Sequence, residues 1–343
     1  MRIKTNSNPP QRRLFGAGLL CALAALSLGT LVPLSAHAAD AKVRIKIATV
    51  GNPGDGLTGA LNYFTQNISK ETGGAVTGEV FVSSQLGSYT DYIDGLRMGS
   101  IQMAEIDSSV LSTLAPKFSI FGIPYVASSP EGLRKALAGK ASEILNKDLD
   151  DNGGLVVLGW IVRPARNVYG SKMPIKSVAD MKGLKIRTMQ SPPMLKAMAL
   201  LGANPTPIPT NERYLALQTK VVDAAENNLV EIYNAKEYEV TKYLSLTEHI
   251  VAPSCIVVSK KFLDALAPEY RAAVIKVGRQ AGEAGSEIDA TLVKIARENL
   301  GTKGGMVINE VADKSEFMKK VAPLREEYKA KIGPELFELL QGK

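Results

Sequence analysis

Apolar and polar residues alternate from Val43 to Val50 and then give way to Gly51-Asn52-Pro53-Gly54, the pattern of a half-buried strand running into a loop. Leu57, Leu61, Phe64 and Ile68 recur at helical spacing, so a helix is predicted from Leu57 to Glu71, ended by Gly73-Gly74 before a short strand from Gly78 to Val82. The same grammar predicts a helix from Thr90 to Met98, a strand from Ile101 to Ile106, a helix from Pro130 to Leu149 and a strand from Leu155 to Ile161. Helices covering a mostly parallel sheet follow from such alternation. A second set begins after Arg163-Pro164-Ala165-Arg166: strand Leu184 to Met189, helices Pro193 to Leu201 and Asn211 to Gln218, and strand Val221 to Glu226. Ile250 to Val258 is again strand-like. The charged amphipathic run from Pro268 to Leu300 reads as one helix of roughly 50 Å crossing between two lobes. Two shorter helices broken near Gly282 and Gly285 fit it equally well.

Composition narrows the class. With 343 residues, 45% hydrophobic and 22% charged, the chain has the balance of a soluble globular protein. Arg12-Arg13, the apolar run Leu14 to Val32 and Ala36-His37-Ala38 form the three regions of a signal peptide, expected to be cleaved after Ala38, with the Sec and twin-arginine routes both open. Four basic residues and no acids lie in this leader, so the formal charge falls from +7 to +3 beyond it, which argues against a nucleic-acid partner. Cys255 then stands alone and no intramolecular disulfide can form, so the periplasm of a Gram-negative cell and a packed core are expected.

Little catalytic chemistry is on offer. Beyond the leader the only histidine is His249, which reads as a structural or capping residue at a helix end, and no zinc-binding cluster, nucleophile elbow, phosphate loop or dinucleotide fingerprint is present. No cofactor or metal is expected. Acidic residues are numerous enough for a carboxylate pair, so counting alone leaves an exported lyase or hydrolase open. Arg187 is more informative. It lies late in the strand Leu184 to Met189, where α/β sheets bind ligands, and its guanidinium can fork onto a carboxylate. Asn227, after the strand Val221 to Glu226, can add an amide donor. An internal pair between Arg187 and an acid such as Glu226 is the competing reading.

Pro174 to Arg187, Leu201-Gly202-Ala203-Asn204-Pro205, Tyr214 to Thr219 and Val222-Asp223-Ala224-Ala225-Glu226-Asn227 together resemble the DctP-type solute-binding subunits of tripartite ATP-independent periplasmic (TRAP) transporters. Ser84-Gln85-Leu86-Gly87, Gly99-Ser100-Ile101 and Phe121 to Tyr125 match the family's first half. The resemblance implies an α/β, two-lobed periplasmic binding protein of type II-like fold. Each lobe would hold a mixed sheet flanked by helices, with 41–164 plus 253–290 in one and 165–252 plus 291–343 in the other. It implies that Arg187 and Asn227 hold a ligand carboxylate and that a second arginine assists, Arg166 being favoured over Arg163. Asn52, Gln85, Asp107 and Ser108 would contribute from the first lobe.

The departures from the family touch the pocket. Thr210-Asn211 stand where many acid-binding relatives carry an aromatic residue, Ala224-Ala225 replace the commoner Gly-Gln, and Asn228 replaces a frequent proline. An aryl acid would lose its aromatic partner, whereas buried ligand hydroxyls would find donors and acceptors. A sugar acid such as a uronate is the expected ligand, with a four-carbon dicarboxylate next. The alternative is that Thr210 and Asn211 merely cap the following helix. The resemblance further implies a monomer without enzymatic activity that delivers its acid to a TRAP permease of one small and one large membrane subunit. A sensory role is the alternative to transport.

Overall fold

The computed structural model describes residues 42–341. The leader, and with it the expected signal peptide, lies outside them.

The strands in chain order are β1 (Val43–Ala48), β2 (Val76–Phe81), β3 (Met103–Asp107), β4 (Leu155–Val162), β5 (Arg166–Gly170), β6 (Lys185–Thr188), β7 (Asn204–Pro207), β8 (Ala224–Asn227), β9 (Tyr243–Ile250), β10 (Pro253–Ser259) and β11 (Val307–Glu310). They form two sheets, ordered β2-β1-β3-β10-β4 and β11-β9-β5-β8-β6-β7. Strands joined through helices pair in parallel, as β1 does with β2 and β3. β10 returns from the other sheet and is antiparallel to both β3 and β4, and β5 is antiparallel to β8 and β9. Both sheets are therefore mixed, giving the two-lobed α/β architecture.

The chain passes between the sheets through the short links after β4 and after β9, and then twice through helices. The run from Pro268 to Thr302 is one continuous helix, which decides between the two readings above. Its early residues Val274, Val277 and Ala281 join the first core, and Ala296 and Leu300 join the second. Glycines there serve close approach rather than a break: a Cβ on Gly282 would lie 2.6 Å from the Trp160 backbone nitrogen, and one on Gly285 2.6 Å from the Gly56 carbonyl oxygen. The helix Ser315–Ile332 crosses back. Phe317 and Val321 belong to a core of the second lobe, whereas Leu324, Tyr328 and Ile332 belong to the first. The assignment of 291–343 to the second lobe therefore does not hold for its last helices, because their apolar faces complete the first core.

Two local expectations also change. Pro130 to Leu149 is divided at Gly139 into helices Pro130–Leu137 and Lys140–Gly153. His249 lies in β9 rather than at a helix end; its Nδ1 is 2.8 Å from Thr247 Oγ1 and its Nε2 3.6 Å from a Glu226 oxygen.

Candidate functional site

The strand ends of the two sheets meet around a narrow crevice that both sheets line. Val50 follows β1, Asp107 ends β3, Arg163 and Arg166 flank the link from β4 to β5, Met189 follows β6, and Asn227 ends β8. This is where an α/β sheet leaves backbone ends and side chains free to converge on a ligand. Toward the exterior the crevice continues into a mouth lined by Asn52, Ser83, Thr210, Asn211 and Arg213.

Three buried arginines line this space and a fourth, Arg187, stands behind its wall; their partners set them apart. Arg163 is ion-paired with Glu231 at 2.8 Å and with Asp289 of the long helix at 2.5 Å. Arg166 is clasped by Glu226, Nε to Oε2 at 2.5 Å and Nη2 to Oε1 at 2.9 Å, while Asp107 stands 3.8 Å from its Nη1. Burial alone would raise Glu226, but Arg166 and His249 outweigh it and bring its carboxyl down to about 2. Arg213 is held through Nε by Glu237 at 2.5 Å, and Tyr169 donates its hydroxyl to the other oxygen of that carboxylate.

Arg187 has no acidic partner among the described residues. It is 1% exposed, its Nε donates to the Ile208 carbonyl at 2.8 Å, and its Nη2 lies 3.4 Å from Thr210 Oγ1. Its Nη1 has no hydrogen-bond partner. Burial, reinforced by neighbouring Arg213 and only partly opposed by Glu226, brings this guanidinium down to about 10. A buried guanidinium with an unpartnered nitrogen is rare in a folded interior. The proposed internal pair with Glu226 does not form, because Arg166 occupies that carboxylate. Arg187 itself is not part of the crevice wall; it stands directly behind Thr210, which is.

The remaining expected residues are partly brought together. Asn227 is buried in the wall, its Oδ1 accepting from the Asn228 N–H at 2.9 Å, so its amide nitrogen is the group left for a ligand. Asn228 also lines the crevice, and its Oδ1 caps the helix Leu229–Asn234 by accepting from Glu231 N–H at 3.0 Å. Asp107 is oriented by Ser109, whose N–H and hydroxyl both donate to Oδ1. Thr210 faces both crevice and mouth, and neither it nor Asn211 caps the following helix through its side chain. Asn52 and Asn211 stand at the mouth. Ser108 is buried with its hydroxyl unpartnered but lies behind the wall. Gln85 is exposed and lines neither space, because the turn that carries it points outward; Tyr89, four residues on, reaches the crevice instead.

Sequence reasoning missed Tyr89 and Arg213. Tyr89 opens a helix whose N-terminus is fixed by the Ser88–Asp91 capping box, and its hydroxyl donates to buried Glu105 at 3.1 Å. Arg213 had a legible signal: it shares helical spacing with buried Ala216 and Leu217, an arginine on an apolar face. No group of three or more His, Cys, Asp or Glu side chains among the described residues is arranged to hold a metal ion.

Comparison with known proteins identifies relatives of the fold. The model of the DctP family, described as bacterial extracellular solute-binding protein, family 7, matches residues 47–331. A TRAP periplasmic solute binding protein from Bradyrhizobium sp. BTAi1, solved in complex with α/β-D-galacturonate, is 31% identical, with a TM-score of 0.84 over 88% of this chain and 100% of that one. Its counterpart from Roseobacter denitrificans, with bound β-D-glucuronate, is 28% identical, with a TM-score of 0.83 over 88% and 99%. The 2,3-diketo-L-gulonate-binding periplasmic protein YiaO of Escherichia coli K12 is 35% identical over 65% of this chain and 68% of its own.

Proposed function

The chain belongs to the DctP family of bacterial extracellular solute-binding proteins, family 7, and from that premise we propose that it is a receptor for a sugar acid carrying one carboxylate, with a uronate as the favoured class. The observation that carries this reading is the unpaired guanidinium of Arg187 behind a polar crevice. Arg163, Arg166 and Arg213 already have carboxylate partners, which leaves Arg187 as the one of the four arginines free to meet a ligand carboxylate. A four-carbon dicarboxylate would need a second unpaired cation, and Arg163 and Arg166 are both engaged. Asp107, Thr210 and the amides of Asn227 and Asn228 offer acceptors and donors for hydroxyl groups, with Asn52 and Asn211 at the entrance. Uronates in the related structures support the same class.

The two lobes close on the acid about the links after β4 and β9, excluding water from the Arg187 contact and thereby strengthening it. The receptor works as a periplasmic monomer after removal of its signal peptide, performs no chemistry, and hands its ligand to the small and large membrane subunits of a TRAP permease. A thermal-shift panel of D-glucuronate, D-galacturonate, D-galactonate, succinate and malate tests the assignment. A ligand at a hundred times its Kd stabilises by about 2.7 kcal/mol. A response to the dicarboxylates with none to the sugar acids overturns it.

A further inference from the structure

Resting on this reading, we infer that Arg213 is a second ligand contact and a determinant of specificity: its Nη1 and that of Arg187 together grip the two oxygens of one carboxylate. Arg213 lines both the crevice and its mouth, yet is 1% exposed. Its Nε is pinned by Glu237, which is itself held by the Tyr169 hydroxyl, so the guanidinium is fixed from its far edge. Its Nη1 is buried and has no hydrogen-bond partner, as is true of Arg187 Nη1. Thr210 links the two positions, bonding to Arg187 Nη2 while sharing the wall with Arg213. Two orphaned charge-assisted donors beside one threonine are unusual inside a protein, where such groups nearly always find acceptors.

The charges fit a single anion. Glu237 neutralises Arg213, whereas Arg187 is uncompensated, so the pair presents one net positive charge with two free N–H groups. Arg213 is also the leading charged neighbour disfavouring the ionised form of Arg187, a repulsion that a carboxylate lying between them relieves. A neutral hexose can accept from these donors through its hydroxyls but brings no negative charge to relieve the repulsion. The site therefore discriminates a sugar acid from its parent sugar through both arginines.

Calorimetry with D-glucuronate and with D-glucose tests this on the full mature chain. The double variant Arg213→Gln/Glu237→Gln removes both members of the ion pair, so no lone carboxylate is left buried, and it should weaken D-glucuronate binding by about thirtyfold or more. Arg213→Lys retains the pairing charge but not the planar fork and serves if the double variant does not fold; it should weaken binding about tenfold. Neither protein should bind D-glucose. Wild-type binding of D-glucuronate together with affinity within threefold in a folded variant overturns the role of Arg213 and leaves the receptor assignment standing. Wild-type protein that binds neither D-glucuronate nor any other sugar acid overturns both.

Discussion

Arg187 and Ile208 are joined by one hydrogen bond, 2.8 Å from the guanidinium Nε to the main-chain carbonyl, and no carboxylate completes the set. A main-chain oxygen orients this side chain without neutralising it. On the function proposed above, the protein keeps a charge that costs stability in exchange for recognition, and the two effects can be separated by measurement.

Arg187→Met is expected to reduce sugar-acid affinity at least a hundredfold while leaving the ligand-free protein no less stable than wild type. Burial, reinforced by Arg213, lowers the guanidinium to about 10, a penalty on the order of 3 kcal/mol. For a base lowered in this way the penalty is fully present below pH 10 and is relieved only as pH rises beyond it. Urea unfolding at neutral pH checks the sign: a marked loss of ligand-free stability would assign Arg187 to the scaffold.

Arg166→Ala should behave in the opposite way. It leaves Glu226 buried with only His249 beside it, and about 3–5 kcal/mol of stability should be lost whether or not ligand is present. Chemical denaturation of the ligand-free variant reads this directly. A variant as stable as wild type would show that Arg166 acts chiefly on ligand.

Stability should fall as pH rises from about 5 to 8. Burial raises Glu105 to about 7, and burial with the repulsion of Glu231 raises Asp55 to about 8. An acid raised on folding stabilises below its unfolded pKa, and that contribution is lost as pH climbs through the folded value. Glu226, lowered to about 2, acts in a separate window: its contribution is present above about 4.5 and is lost toward pH 2. Melting temperatures of wild type and Glu105→Gln across this range provide the check, since the substitution should flatten the slope between pH 5 and 7.

Gly282→Ala should destabilise by about 1–3 kcal/mol, although alanine is the better helix former. The added methyl would meet the backbone of β4, with the Trp160 nitrogen at 2.6 Å and the Gly159 carbonyl carbon at 2.9 Å. Thermal denaturation beside the uncrowded control Gly301→Ala, whose nearest contact is an isoleucine methyl at 3.7 Å, isolates the steric effect.

The parts of the fold that were legible in the sequence are those decided by local periodicity. β1, the helix Gly56–Glu71 and the long helix all carry regular apolar spacing, and their predicted limits fall within a few residues of the observed ones. β7 was not legible, because Asn204-Pro205-Thr206-Pro207 offers no alternation and is a strand only through its pairing with β6. β9 was mistaken for a helix because the choice is made by its neighbours β5 and β11. In the site, the strand-end position of Asn227 was enough to put it in the crevice wall and that of Arg187 close behind it, whereas the contest between Arg163 and Arg166 could not be read. It depends on Glu226, Glu231 and Asp289, which tertiary packing brings to them from distant segments. Gln85 shows the converse error, since a matching motif fixes a residue's place in the chain but not the direction of its side chain.

The return of the helix Ser315–Ile332 from one core to the other has a consequence for biogenesis. Leu324, Tyr328 and Ile332, followed by Leu336, Phe337 and Leu340, cover apolar surface formed by segments made much earlier. The amino-terminal half therefore keeps an uncovered apolar face until these last helices have docked. Truncation before Leu324 should yield aggregates rather than a smaller receptor.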